Sequence, residues 1–389
     1  MTTTHWHLVT GEYPPQGGGV SDYTASLARA LTAVGDDVHV WAPPAAMGTD
    51  VETTADIRVH RLPDVFGESS LRELTAALDE CPEPRTLLVQ YVPHAFGGRG
   101  MNVRFCRWVQ HRARVTGDDV RVMFHEPYYP FGVWPPHRNV LALANRIMAV
   151  LLLSDIRLAY VSTRAWEHRL RWYAPRNRRF VWLPIPASVP PVQDSARVAE
   201  WRARMTSATG GHVVGHFGTF GALVSALLGP ILELLLKEQP AVRLCLIGPG
   251  SDAFASRLCG THREWRERVT ATGRLAASDV SACLKACDVV VQPYADGASG
   301  RRTTLMAALV NGVATVTNRG AATEDDWLAK DAVVLTSRAD PRALCDAVER
   351  VLDDDALREG LAAAGATLYA ERFSIEHTVE TLTTGRGAA

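Results

Sequence analysis

Three stretches of this chain carry residue types that could do chemistry together. The first is the loop Gly11-Glu12-Tyr13-Pro14-Pro15-Gln16-Gly17-Gly18-Gly19, which follows an apolar run and opens an amphipathic one. Glycines let a backbone come close to a ligand, and the free N–H groups at a helix start attract an anion. The same residues also read as a plain strand–helix turn capped by Ser21 or Asp22. Counted from Gly17, the third glycine of a dinucleotide fingerprint is replaced by Asp22, which argues against a nicotinamide dehydrogenase.

The second stretch runs from Asp288 to Thr304. A buried strand ends at Pro293, a small-residue loop follows, and a helix begins near Thr303. Ser299, Gly300 and Thr303 offer hydroxyl and backbone N–H donors, and Arg301 and Arg302 add fixed positive charge. Two cations at the positive end of a helix dipole are unfavourable alone. With an anion they suit a diphosphate at the carboxyl edge of a parallel sheet; the alternative is a solvated arginine pair.

The third is His125-Glu126, at the end of the apolar run Val120–Phe124. Its imidazole could contact a sugar or alcohol, move a proton, or only cap a turn. Tyr91 and His94 end another strand at the same edge. Arg164–Tyr173, with Arg176, Arg178 and Arg179, forms a basic, tryptophan-containing stretch. It reads as an ordinary amphipathic helix or as a peripheral contact to an anionic membrane. His5 and His7 share a strand face, but no third ligand accompanies them. Asp353–Asp355 is expected to open or interrupt a helix, and no metal site is expected.

These residues need elements to position them. Apolar runs at His7–Thr10, Val38–Trp41, Ile57–His60, Thr86–Tyr91, Val120–Phe124, Leu158–Ser162 and Phe180–Leu183 alternate with helical patterns at Ser21–Ala33, Leu71–Leu78, Val103–Arg114, Val140–Leu153 and Arg164–Tyr173. Short buried runs separated by helices predict a doubly wound parallel sheet. Four prolines between Pro184 and Pro191 interrupt the pattern. It then restarts, with strands at Val213–Phe217, Arg243–Ile247, Val269–Thr272, Val289–Gln292, Ala314–Thr317 and Ala332–Leu335. Helices are expected at Leu227–Lys237, Asp279–Ala286, Thr303–Val310, Pro341–Leu352 and Ser374–Thr384. The reading is a domain over 1–184, a linker over 185–205, a second domain over 206–372 and a C-terminal helix over 373–389, with a ligand cleft between the domains.

Composition narrows the function classes. The 41 Lys and Arg residues nearly balance 42 Asp and Glu, so a nucleic-acid binder, which needs a basic surplus, is not expected. Seven scattered cysteines without a CxxC pattern point to reduced thiols. The apolar stretch Val140–Leu153 is too short to span a bilayer, and no signal peptide is read at the start, so a cytoplasmic location is expected.

Tyr13-Pro14-Pro15 with Gly17-Gly18-Gly19-Val20 and Tyr23, followed by a helix, resembles the N-terminus of family 4 glycosyltransferases with the GT-B fold of two Rossmann-like domains. Gly215 and Gly218, Gly248-Pro249-Gly250, Gly273-Arg274 and Asn311-Gly312 resemble that family's second domain, in the same order. The resemblance implies transfer of a sugar, typically a hexose, from a nucleoside-diphosphate sugar, with retention and without a metal or other cofactor. The donor would be held mainly by the second domain and the acceptor by the first, with the last helix packing back on the first. Gly18 and Gly19 match the loop that approaches the donor phosphates, and His125 the histidine near the donor sugar. Gly218, Thr219, Gly248, Gly273, Arg274, Ser299, Gly300, Thr303 and Thr304 fall at donor-side positions; Tyr13, Tyr91, His94 and Glu126 fall on the acceptor side. The family's usual pair of glutamates is replaced by Ser299 and Ala307. Asp296, in Asp296-Gly297-Ala298-Ser299-Gly300-Arg301-Arg302, is the candidate for the first acid; Arg301 and Arg302 stand in for basic residues absent after Gly218. The expected function is a glycosyltransferase acting on a hydroxyl or amine of a sugar, natural-product or lipid-linked acceptor. A nucleotide-sugar epimerase and a degenerate, non-catalytic GT-B subunit are the alternatives.

Overall fold

The computed structural model describes residues 3–385 except 46–56, 133–134, 136–137, 207–209, 261 and 330. The chain forms two compact units, one from the residues up to Pro184 together with those from Ile375 on, the other from Ile185–Ser374.

In the first unit, β1 (His5–Thr10), β2 (Asp37–Ala42), β3 (Ile57–Arg61), β4 (Arg85–Tyr91), β5 (Asp119–Phe124), β6 (Leu158–Val161) and β7 (Phe180–Trp182) form one parallel sheet in the order 3-2-1-4-5-6-7. Every residue of β4 is buried, as a strand covered on both faces requires. The crossovers carry α1 (Gly19–Ala33), α2 (Glu68–Glu80), α3 (Val103–Val115), α4 (Arg138–Asp155) and α5 (Arg164–Leu170). Helix α1 turns Leu27, Ala28 and Leu31 inward; each leucine so buried contributes about 1.5–3 kcal/mol.

The second unit starts at Ile185. The residues expected as a linker, 185–205, pack into it. Asp194 caps α6 (Ser195–Met205) by accepting from Arg197 N at 3.0 Å, and Val189, Trp201 and Met205 are buried in the unit's core. The prolines break regular structure only as far as Asp194, after which an amphipathic helix has a face to bury. Strands β8 (Val213–Phe217), β9 (Arg243–Ile247), β10 (Val269–Ala271), β11 (Val289–Gln292), β12 (Ala314–Asn318) and β13 (Val334–Thr336) form a second parallel sheet, ordered 10-9-8-11-12-13. Around it lie α7 (Ala222–Glu238), α8 (Ser251–Leu258), α9 (Ala277–Lys285), α10 (Thr303–Val310), α11 (Asp326–Ala329), α12 (Pro341–Asp353) and α13 (Asp355–Arg372). Leu228, Ile231 and Leu235 of α7 and Leu344 and Val348 of α12 pack on one face; Ala282 and Leu284 of α9 and Ala307 and Ala308 of α10 pack on the other. Asp354 sits between α12 and α13 and caps the latter through Leu357 N at 2.9 Å.

Helix α14 (Ile375–Thr384) returns to the first unit, buries Val379 and Leu382, and packs on α1. Among the described residues no helix is long and apolar enough to cross a membrane. Both parallel sheets change winding direction at one place, between β1 and β4 in one unit and between β8 and β11 in the other. Open α/β sheets bind ligands at the carboxyl ends of the strands flanking such a switch point.

Candidate functional site

In the first unit the loop after β1 lies at the switch point. Gly11 is required there, because a Cβ would lie 2.5 Å from the Ala95 carbonyl oxygen. The start of α1 is not the Ser21- or Asp22-capped turn that is one of its two readings from the sequence; its N-cap is Gly18. Instead Glu12 folds back, and its Oε1 accepts from Val20 N and Ser21 N, both at 3.1 Å. Gly18 makes room, since a Cβ there would sit 2.5 Å from that oxygen; around Gly19 the space is open. A carboxylate of the chain itself thus occupies first-turn amides suited to an anion.

His125 follows β5. Its backbone N donates to Tyr91 O at 3.1 Å, and its O accepts from Trp166 Nε1 at 3.1 Å and Ser162 Oγ at 3.3 Å. The ring stands edge-on to Tyr23 at 5.1 Å, and Nε2 lies 2.7 Å from Gln90 Oε1. Burial lowers its pKa to about 3, so the imidazole is neutral. Of the residues expected on the acceptor side, His94 and Glu126 are exposed. Tyr13 is buried beneath the Arg61 guanidinium, 5.7 Å from its ring centroid. Tyr91 differs from that expectation. It is wholly buried between Phe96 and Phe124, because its position in β4 points it into the core. In the basic stretch, Trp166 turns inward to His125, while Trp172 is 82% exposed.

The histidines at the other end of β1 gain neighbours that the sequence does not place beside them. His39 and Cys81 each bring a ligand atom within 4.8 Å of one on His7. Of the imidazole nitrogens of His7 and His39, all are engaged except His7 Nε2, which is buried without a hydrogen-bond partner among the described residues. Trp41 donates to His7 Nδ1 at 3.3 Å, Arg58 lies 2.8 Å from His39 Nε2, and His39 Nδ1 faces His60 Nε2 at 3.0 Å.

In the second unit the switch point gathers three of the expected glycines. Gly218 N donates to Ile247 O at 3.0 Å and Gly248 N to Gly273 O at 3.2 Å. Gly248, at φ +121°, comes so close to Gly218 that a Cβ would lie 2.2 Å from its carbonyl oxygen. Ser251 Oγ accepts from Gly273 N at 2.9 Å. Thr219 and Arg274 are exposed beside them.

The loop after β11 is held from several sides. Asn318 Oδ1 accepts from Tyr294 N at 2.8 Å, and Glu324 Oε2 accepts from Gly300 N at 3.0 Å. Gly297, at φ +90°, passes against Gly320, whose N would be 2.2 Å from a Cβ. Asp296 binds both arginines, Arg301 at 2.7 Å and Arg302 by a shorter contact. That carboxylate explains how two cations are tolerated at the start of α10. Arg302 also lies over the Tyr294 ring, 4.6 Å from its centroid, and burial lowers its pKa. Tyr294 OH bonds Thr304 Oγ1 at 2.8 Å. Thr303 opens α10, half-buried, and Ala307 is buried in the core. Ser299 is fully buried, its Oγ without a hydrogen-bond partner among the described residues.

Sequence reasoning missed Glu12, Gln90 and Glu324. A signal existed for Gln90, a polar side chain inside the apolar run Leu87–Tyr91. None existed for the other two, whose partners depend on the tertiary fold.

Comparison with known proteins agrees with the fold. Residues 212–354 match the family model described as Glycosyl transferases group 1. The chain is similar to sucrose-phosphate synthase from Thermosynechococcus elongatus (17% identity, TM-score 0.73, 98% of each chain covered). It is also similar to a glycosyltransferase from Rickettsia africae (10% identity, TM-score 0.72, 98% of each chain). A third is HepE from Anabaena, solved with UDP and glucose (14% identity, TM-score 0.69, 98% of this chain and 99% of that one). No curated protein matches the chain in sequence. The two Rossmann-like parallel-sheet units are those of the GT-B fold.

Proposed function

We propose that this chain is a glycosyltransferase that moves a sugar, hexose-like, from a nucleoside-diphosphate sugar to a hydroxyl or amine of a sugar, natural-product or lipid-linked acceptor. The observation that carries the reading is the match of residues 212–354 to group 1 glycosyl transferases. That span contains the converging glycines Gly218, Gly248 and Gly273 and the arginine pair at the start of α10. Similar folds solved with UDP or a UDP-sugar support a nucleotide-sugar partner.

In this reading Arg301, Arg302, Ser299, Gly300, Thr303 and Thr304 take the diphosphate. The arginines exchange Asp296 for phosphate oxygens, and the freed carboxylate becomes available to a sugar hydroxyl; in the first unit His125 is the candidate for contact with the sugar. The bond from the anomeric carbon to the phosphate oxygen breaks, and positive groups stabilise the charge developing on that oxygen. With retention, the departing phosphate takes the acceptor hydroxyl proton as the new bond forms, so neither a strong protein base nor a metal is needed. A cytoplasmic location and contact with a membrane surface through the basic stretch belong to the same proposal.

Calorimetric titration with UDP, GDP, ADP, dTDP and CDP tests it. Selective binding is expected, weakened by about 100-fold or more in the Arg301→Ala/Arg302→Ala variant, the loss of two charge-assisted hydrogen bonds. Absence of binding to all five removes the donor site. It would favour the degenerate-subunit reading, which the Asp296 carboxylate already neutralising both arginines also suits.

A further inference from the structure

We propose that Gln90 is a positioning residue that fixes the tautomer of His125, leaving its Nδ1 as the hydrogen-bond acceptor presented to the donor sugar. Only the identity of the ligand rests on the glycosyltransferase reading; the tautomer stands on its own geometry.

Gln90 is fully buried in β4, in register with Thr10 of β1 and Met123 of β5, and follows the apolar Leu87, Leu88 and Val89. An amide in such a place costs about 1–3 kcal/mol unless it is bonded. Its Oε1 lies 2.7 Å from His125 Nε2. An amide oxygen can only accept, so Nε2 carries the proton. The ring is neutral and holds one proton, which leaves Nδ1 with a bare lone pair. Among the described residues Nδ1 makes no hydrogen bond.

Everything else about the imidazole is already fixed. Its backbone is tied to Tyr91, Trp166 and Ser162, and Tyr23 packs against its ring. The protonation pattern is the one remaining variable, and Gln90 is the hydrogen-bonding side chain that faces it. Gln90 also keeps its Nε2 buried without a partner among the described residues. A leucine would fill the strand without that cost, so packing alone does not account for glutamine here. A bare imidazole nitrogen accepts from a hydroxyl and repels a phosphate oxygen. His125 is thereby assigned to a sugar hydroxyl, and the leaving phosphate is left to other groups.

The test is nitrogen NMR of the ligand-free full chain with labelled histidine, His125 being identified by its loss in His125→Gln. Protonated Nε2 and bare Nδ1 are expected in the wild type. Gln90→Leu is expected to mix the two tautomers. Gln90→Glu, nearly isosteric and the safeguard should the leucine variant fail to fold, is expected to draw a second proton onto the ring. In turnover, Gln90→Leu is expected to lower kcat about ten-fold, the worth of one hydrogen bond, with nucleoside-diphosphate affinity unchanged. A wild-type ring protonated at Nδ1 would mean the amide is turned round and donates, and would overturn the proposal. So would a tautomer that neither Gln90 variant changes. If no nucleotide binds, the glycosyltransferase reading fails, while the NMR arm still decides the tautomer.

Discussion

Glu12 lies eight residues before Val20, whose amide it accepts, and no helix-capping pattern spans that distance. The glycine loop itself was legible, because three consecutive glycines after an apolar run serve few purposes. Its occupant was not, since the sequence offered Ser21 and Asp22 as nearer caps. Arg301, Arg302 and Asp296 were legible together as a charged cluster, but not that the acid would bind both arginines. The Glu12 contact has a measurable consequence. Glu12→Ala is expected to lower stability by about 1 kcal/mol, the usual worth of a lost N-cap. It is also expected to tighten binding of the nucleoside diphosphate by freeing the Val20 and Ser21 amides. Denaturant unfolding beside calorimetric titration reads both, and weaker nucleotide binding in the variant would show that Glu12 shapes the loop for the ligand instead of competing with it.

The central strands were legible as elements because burial on both faces makes them continuous apolar runs. Val213–Phe217, Arg243–Ile247 and Val289–Gln292 fall at their expected bounds. The short edge strand Val334–Thr336 is only half-buried and shifts from the expected Ala332–Leu335. Helices α6 and α8 had no expectation, and of α13 only the start was expected, at the Asp353–Asp355 run. The first hides behind prolines, the second is short, and the third is rich in alanine, whose small side chain marks no clear face. Glycine was informative only where a close approach demands it. Gly248→Ala combines a left-handed φ of +121° with a Cβ 2.2 Å from Gly218 O. A loss of about 2–4 kcal/mol is expected, with a fall in nucleotide affinity as the two loops separate. A change in unfolding free energy below 1 kcal/mol would mean the loops yield easily.

Across the whole molecule, histidines divide the units unequally. Burial lowers the pKa of His7 and His125 to about 3, of His60 to about 4, and of His39 as well, all in the first unit; in the second, His216 falls to about 4. Each is neutral when folded but takes a proton near 6.5 once unfolded. The unfolded chain therefore binds more protons below that pH, and stability falls as pH drops from about 6.5 toward 3. Calorimetry between pH 7.5 and 5 is expected to show two transitions, with that of the first unit moving down faster. Equal shifts in both would contradict this assignment.

The return of α14 to α1 also sets an order of birth. Arg121 donates to Leu382 O at 2.6 Å, and α14 covers part of α1, so the first unit is made from segments translated far apart. All of Ile185–Ser374 leaves the ribosome before α14 does, about 10–40 s at typical synthesis rates. Throughout that interval the nascent first unit waits with the apolar flank of α1 uncovered, although the second unit already has its whole sequence. A message truncated just before Ile375 would yield a product complete in its second unit and unfinished in its first, the kind of open flank on which chaperones and proteases act.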